Sequence, residues 1–351
     1  MEVTPSMKNP YTLVFGKEPR EIISRLSDSA RIIEDFTDND PSQVIYMISG
    51  VRGTGKTVFM NDIANRLRKD PDWIVVELSP ESDLLLDLAS ELSSNNELSR
   101  KFHNAKINLS FWGFGLEIEN TTPISNIKVA LTKMLETLSK DGKRLLVTID
   151  EVTSTKPMRE FASVFQILIR QNLPIFLLMT GLFENIRELQ DEKSLTFLYR
   201  APRIDLKPLN IRSIADNYME NFHLTAEAAR DMAEKTRGFS YAFQSLGYMT
   251  WENDGNYLSV LNDYRHNLSE LVYEKIWSEL SPKDKLVLRG MAENPEGKIK
   301  NIRQTLDLST NEFNPYRDRL IKKGLINGDD YGIVRFTLPY FEEFVLEREQ
   351  P

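Results

Sequence analysis

Val44-Ile45-Tyr46-Met47-Ile48-Ser49-Gly50-Val51-Arg52-Gly53-Thr54-Gly55-Lys56-Thr57 is an apolar run that breaks into glycines and closes on Lys-Thr. Gly50–Thr57 satisfies G-x-x-x-x-G-K-[ST] at every fixed position, after a predicted strand and ahead of a predicted helix over Lys56–Lys69. The glycines let the backbone curl so that the N–H groups of Gly50, Val51, Arg52, Gly53, Thr54 and Gly55 turn inward on phosphate oxygens. The helix that follows adds the positive end of its dipole. Lys56 is then the contact to the β- and γ-phosphates, and Thr57 a magnesium ligand. ATP or ADP with Mg2+ is the expected ligand.

A phosphate loop of this kind needs a carboxylate delivered from a second strand. Leu145-Leu146-Val147-Thr148-Ile149 is an apolar run ending on Asp150 and Glu151. Asp150 is expected to hold the metal, and Glu151 to polarise the attacking water as the catalytic base. Thr180 ends the next apolar run, Ile175–Thr180. Two roles stay open for it: a sensor of the γ-phosphate or water, or the cap of a helix starting near Leu182.

Composition bounds the rest. The chain has 351 residues, 41% hydrophobic and 27% charged, which suits a globular protein of two or three domains. The longest mid-chain apolar run, Ile175–Met179, is far short of the roughly 20 residues of a spanning helix. No cysteine is present, so thiol catalysis, disulfides and Cys-based zinc sites are excluded. The three histidines, His103, His223 and His266, are too scattered to predict a multi-His centre. The N-terminal residues lack the basic and apolar regions of a secretion signal. A cytoplasmic protein without membrane contact is expected. The formal charge of −8 argues against non-specific coating of nucleic acid.

Strands are predicted at Val44–Ser49, Trp73–Leu78, Arg144–Ile149, Ile175–Thr180 and Arg203–Leu206, with helices over Lys56–Lys69, Ile124–Lys140 and Met158–Asn172. This alternation predicts a three-layer α/β core, residues 1–210, built on a parallel sheet. Ile107–Glu119 alternates apolar and polar residues around Trp112-Gly113, which predicts an inserted β-hairpin near 105–120. The alternate residues Ile107, Leu109 and Phe111 are read chiefly as cover for the core helices, the alternative being that Phe111, Trp112 and Phe114 at the tip grip a partner or stack on a nucleobase. Residues 211–274 are predicted helical, with breaks near Leu224-Thr225 and Gly238. Residues 275–351 hold helices from Pro282, around Ile299–Leu306 and over Thr310–Lys323, then a hairpin of Leu325–Asn327 and Ile333–Thr337. Three helices and a hairpin predict a winged helix-turn-helix.

With these motifs placed, the sequence resembles a large group of bacterial ATP-binding proteins on the AAA/STAND side of the P-loop ATPases, distantly similar to archaeal origin-recognition initiators. Asn9-Pro10-Tyr11-Thr12-Leu13-Val14-Phe15-Gly16 with Glu18 resembles the group's N-terminal box, which implies that Pro10 and Tyr11 pack near the adenine. Leu195–Ala201 and Leu206-Lys207-Pro208-Leu209 resemble the segment after the sensor strand. Gly238–Gln244 resembles the lid motif, with Ser240 where proline is usual, and Arg237 precedes the glycine where a sensor arginine would follow it. Leu338-Pro339-Tyr340-Phe341 resembles the C-terminal close. The resemblance implies an ATPase of the AAA/STAND type with a helical lid. It places Arg200 and Arg203 where this class sets a transition-state arginine, a role a neighbouring subunit's site would need; surface pairing with acids such as Glu192 is the alternative.

The function expected from all this is a magnesium-dependent ATPase switch whose nucleotide closes the lid and changes what the winged helix presents. A protein partner or self-association is the expected contact. The alternative is an ATP-regulated DNA-binding protein, with Arg317, Arg319, Lys322 and Lys323 on the reading helix. Against it, residues 275–351 carry 13 basic and 13 acidic side chains, and Asp329-Asp330 make the wing acidic.

Overall fold

The computed structural model describes residues 8–14, 19–114, 118 and 121–348. They form two compact units: one of Leu26–Ser49 and Lys56–Asp205, the other of the N-terminal residues to Arg25, Gly50–Gly55 and the chain from Leu206 onward.

In the first unit the order is α1 (Leu26–Thr37), β1 (Ile45–Ser49), α2 (Lys56–Arg68), β2 (Trp73–Leu78), α3 (Leu84–Ser94), α4 (Asn96–Asn104), α5 (Ile127–Lys140), β3 (Arg144–Ile149), α6 (Lys156–Arg170), β4 (Ile175–Gly181), α7 (Phe183–Asp191) and β5 (Arg203–Asp205). The five strands form one sheet in the order β2-β3-β4-β1-β5, every pairing parallel. Such a sheet is covered on both faces, which is why its strands read as near-continuous apolar runs. Ile45, Met47, Leu145, Val147, Ile149, Leu177 and Met179 pack with α3, α5 and α6 in one continuous core. The alternate residues, Tyr46, Ile48, Leu146, Thr148 and Phe176, are equally buried. α2 packs beside the strands and against α1. The expected three-layer parallel α/β core is therefore present.

The strand and core-helix expectations hold to within a few residues. The inserted hairpin does not appear among the described residues. Ser110–Trp112 is a 3₁₀ turn. Buried Asn108 explains it: its amide donates to the Thr121 carbonyl (3.1 Å) and hydroxyl (3.0 Å), while its oxygen accepts from the Ser110 N–H (3.1 Å). Trp112 donates its indole N–H to the Ile124 carbonyl at 2.9 Å. One polar side chain thus ties both ends of the excursion; Ile107 and Leu109 are buried in the core as expected, but Phe111 is 59% exposed and does not cover the helices. Residues 115–117 and 119–120 of the expected hairpin lie outside the described residues.

The second unit runs α8 (Ile211–Phe222), α9 (Ala226–Glu234), α10 (Ser240–Trp251), α11 (Leu261–Leu268), a π turn over Ser269–Tyr273, α12 (Glu274–Ser278), α13 (Pro282–Ala292), α14 (Ile299–Thr305), α15 (Thr310–Lys322), β6 (Ile326–Asn327), β7 (Arg335–Phe336) and α16 (Phe341–Leu346). β6 and β7 pair antiparallel. α13 and α15 both begin with capping boxes, Ser281 with Asp284 and Ser309 with Glu312. Where the sequence suggests a separate lid and C-terminal domain, one apolar core runs from Tyr11 through Ile214, Phe243 and Tyr273 to Phe341 and Val345. No helix of the described residues is long and apolar enough to cross a membrane.

Candidate nucleotide site

The site is built from strand ends. β3 stops at Ile149, and its next residue, Asp150, accepts the Thr57 hydroxyl at 2.6 Å through one carboxylate oxygen. The other oxygen accepts a close hydrogen bond from the Thr180 hydroxyl and one from the Glu151 N–H at 3.0 Å. Thr180 is fully buried in β4, the strand paired with β3, and its oxygen also accepts the Glu151 N–H at 3.3 Å. Thr57 is the second residue of α2. Three segments far apart in sequence therefore converge on one carboxylate. The capping role left open for Thr180 is not what the structure shows: α7 starts after Leu182 without a side-chain cap.

Glu151 is exposed and adopts φ 52°, a left-handed conformation that costs a non-glycine residue about 1 kcal/mol. The turn lets Val152 resume the ladder, its N–H donating to the Thr180 carbonyl at 2.8 Å. Such outliers, held in place by surrounding hydrogen bonds, are worth a functional hypothesis. Lys56, at the head of α2, is 8% exposed, an unusual burial for a lysine.

The Gly50–Gly55 stretch takes the form that its glycines allow. Gly53 and Gly55 have φ of 80° and 85°. A side chain at Gly53 would come within 2.5 Å of the Phe239 ring. The loop's outward carbonyls are met by the start of α10: the Tyr241 N–H donates to the Gly53 oxygen at 2.9 Å, and the Ser240 hydroxyl to the Thr54 oxygen at 2.8 Å. Burial pushes the Tyr241 phenol above its ordinary pKa, against the opposing effect of its hydrogen bond to Asn267. Arg52 forms an ion pair with Glu279 at 3.1 Å. Ser240, standing where the resembled motif has proline, thus has a defined partner in the Gly50–Gly55 stretch. Sequence reasoning missed that contact, since it joins residues 186 apart.

Tyr11 is 2% exposed and packed by Tyr218, Phe222 and Phe243, with its hydroxyl on Asn217 at 2.7 Å. Its ring faces are occupied by protein, so it anchors the N-terminal segment. Pro10 beside it is half-buried, and Phe15, Gly16 and Glu18 lie outside the described residues. Arg203 pairs with Asp205 at 3.0 Å and lies over the Phe183 ring. Arg200 is exposed on a 3₁₀ turn beside Tyr199, itself 72% exposed, and has no acidic partner among the described residues.

Comparison with known proteins bears on this arrangement. A Walker-type ATPase of Pyrococcus abyssi superposes with a TM-score of 0.67 at 14% identity, covering 93% of this chain and 97% of that one. The fold is that of a Walker-type ATPase. The ORC2 protein of Aeropyrum pernix, in ADPNP–ADP complexes, gives 0.61 at 12% identity with 95% of each chain covered. Its ADP form gives 0.50 at 13% identity over the same 95% of each. Residues 270–345 match a domain family described as a domain of unknown function (DUF8462). No curated protein matches the sequence.

Proposed function

We propose that the chain binds ATP at Gly50–Thr57 and hydrolyses it, acting as a nucleotide-driven switch of the AAA/STAND type. The observation that carries this reading is the Asp150 carboxylate, which gathers Thr57 and Thr180 at the ends of adjacent parallel strands and the P-loop helix. In this reading Lys56 neutralises phosphate charge and Thr180 holds Asp150 in register and senses the phosphate. Glu151 takes the proton of the attacking water.

Magnesium fits the donors present. Thr57 and Asp150 offer hard hydroxyl and carboxylate oxygens 2.6 Å apart, and no cluster of three His, Cys, Asp or Glu exists among the described residues to form an all-protein cage. That is how Mg2+ is commonly held, by one or two protein oxygens with substrate phosphates and waters. Thr57 and Asp150 would be its ligands, and the ion supplies charge neutralisation on the phosphates. Pro10 and its neighbours are assigned to the adenine side, Arg200 to the site of an adjacent subunit, and the protein to the cytoplasm.

We assign α13 to β7 as a winged helix-turn-helix that contacts protein. One observation weakens the DNA reading. Arg319 of α15 is spent on Asp284, itself 2% exposed, at 2.6 Å, and Arg317 on Asp318 at 3.0 Å. The reading is tested by titrating a fluorescent ATP analogue with Mg2+ into the wild type and Lys56→Ala. The loss of charge-assisted phosphate contacts is expected to weaken binding about 10–100-fold in a folded protein. Unchanged affinity would remove the site.

A further inference from the structure

A phosphate loop has two sides. N–H groups of such a loop turn toward the ligand, while its carbonyls need donors of their own; the Val51 carbonyl finds them inside the loop, in the Thr54 N–H at 3.3 Å and hydroxyl at 2.9 Å. Here Gly53 and Thr54 obtain theirs from Tyr241 and Ser240, in the first turn of α10. The contact is close: Phe239 occupies the space that a Gly53 side chain would fill. The Thr54 oxygen also accepts from the Arg25 guanidinium at 3.3 Å, so a shift of this turn would leave the Gly53 carbonyl unmet and the Thr54 carbonyl with only its longer bond, or drag the loop with it.

The same segment is fixed on its other flank. Gly238 lies so near the Leu209 carbonyl that an added Cβ would come within 2.5 Å, and its own carbonyl accepts the Leu209 N–H at 2.8 Å. Arg237, just before it, has φ 47° and sends its guanidinium to the C-terminal segment. There it donates to the Leu338 carbonyl at 2.9 Å and to both oxygens of Glu342, one of them at 3.1 Å. Leu338 lies in the turn between β7 and α16, and Glu342 in α16, all inside the 270–345 region matched to the domain family. The planar guanidinium suits this bidentate grip, which lysine cannot reproduce.

We propose that Arg237 is a positioning residue that couples residues 336–342 to the phosphate loop, so that each favours the other's bound geometry. The inference rests on nucleotide binding at Gly50–Thr57. The sign is positive: phosphate on the loop's inner side and α10 on its outer side stabilise one and the same backbone conformation. Coupling of this kind is reciprocal, so a cut at the far end must weaken nucleotide binding at the near end.

The test uses the full chain and Mg·ADP as probe. Hydrogen exchange of residues 336–346 is followed with and without ADP, and ADP affinity is measured for wild type, Arg237→Ala, Arg237→Lys and Glu342→Gln, with thermal unfolding as the check on folding. ADP is expected to slow exchange of 336–346 in the wild type and to lose that effect in Arg237→Ala. Affinity should fall by about 5-fold or more in Arg237→Ala, in the range of typical allosteric couplings, and by less in Arg237→Lys and Glu342→Gln. Should Arg237→Ala fail to fold, Glu342→Gln, at a partly exposed side chain, decides the matter. Wild-type ADP binding with unaltered exchange at 336–346, or folded variants that bind ADP as the wild type does, overturns the coupling alone. A wild type that binds no ADP overturns the nucleotide reading and the coupling with it.

Discussion

The ends of β3 and β4 and the face of α15 both collect polar side chains that a sequence reading assigns to phosphate, and they use them differently. At the strand ends, Asp150 is held by two hydroxyls and an N–H. Hydrogen bonds to a charged group of this type are worth about 1.5–3 kcal/mol each, and the contacts of an incoming ligand can replace them. On α15, Arg319 answers Asp284, which is 2% exposed and also accepts the Ser281 hydroxyl at 2.7 Å. Turning Arg319 toward DNA would leave a buried carboxylate short of its partner, with no ligand to replace it. A basic residue counts toward phosphate binding only after the fold's own acids have been satisfied.

The largest effect is expected at Glu151→Gln, where the amide cannot accept a proton: turnover should fall about 10²–10⁴-fold with ATP binding retained. Wild-type turnover in a steady-state assay would make Glu151 a solvated acid and leave the strand ends without a base. Next comes Arg319→Ala, expected to cost stability, about 1–2 kcal/mol after allowance for the partly exposed guanidinium, while leaving DNA affinity as it was. Denaturant titration and fluorescence anisotropy with duplex DNA check the two halves. A stable variant that loses tight DNA binding would reverse the roles given to the two regions. The smallest effect is expected at Thr180→Val, which removes one hydrogen bond to Asp150. A reduction in turnover of about 2–10-fold would sharpen the sensor assignment, and none would confine Thr180 to packing.

What the sequence made legible follows from range. The Gly50–Thr57 motif, the Asp150-Glu151 pair and the five strands are written in contiguous residues, and the structure places the strands as expected. The contacts that give them geometry are not contiguous: Thr180 meets Asp150 across 30 residues and Arg319 meets Asp284 across 35. Three helices went unread for a related reason. Leu84-Leu85-Leu86-Asp87-Leu88 is apolar on every side, so no period distinguishes helix from strand, although Asp83 caps it by accepting the Leu86 N–H at 3.1 Å. α4 is short and polar, and α1 shows only Ile32, Ile33 and Phe36 as large apolar residues in its interior. The expected hairpin is absent among the described residues; alternation cannot reveal that Asn108 would gather both ends of its loop. Arg237 reads as an ambiguous sensor in sequence, and only its placement against Glu342 shows which way it faces.

One measurement weighs the two regions together: ATP turnover by the full chain with Mg2+, with and without duplex DNA, at several protein concentrations. The account predicts Mg2+-dependent hydrolysis that DNA changes by less than about twofold, with DNA bound only in the weak non-specific range, a Kd on the order of 10⁻⁴–10⁻⁶ M. Turnover that appears only with DNA, accompanied by tight and sequence-selective binding, would contradict it.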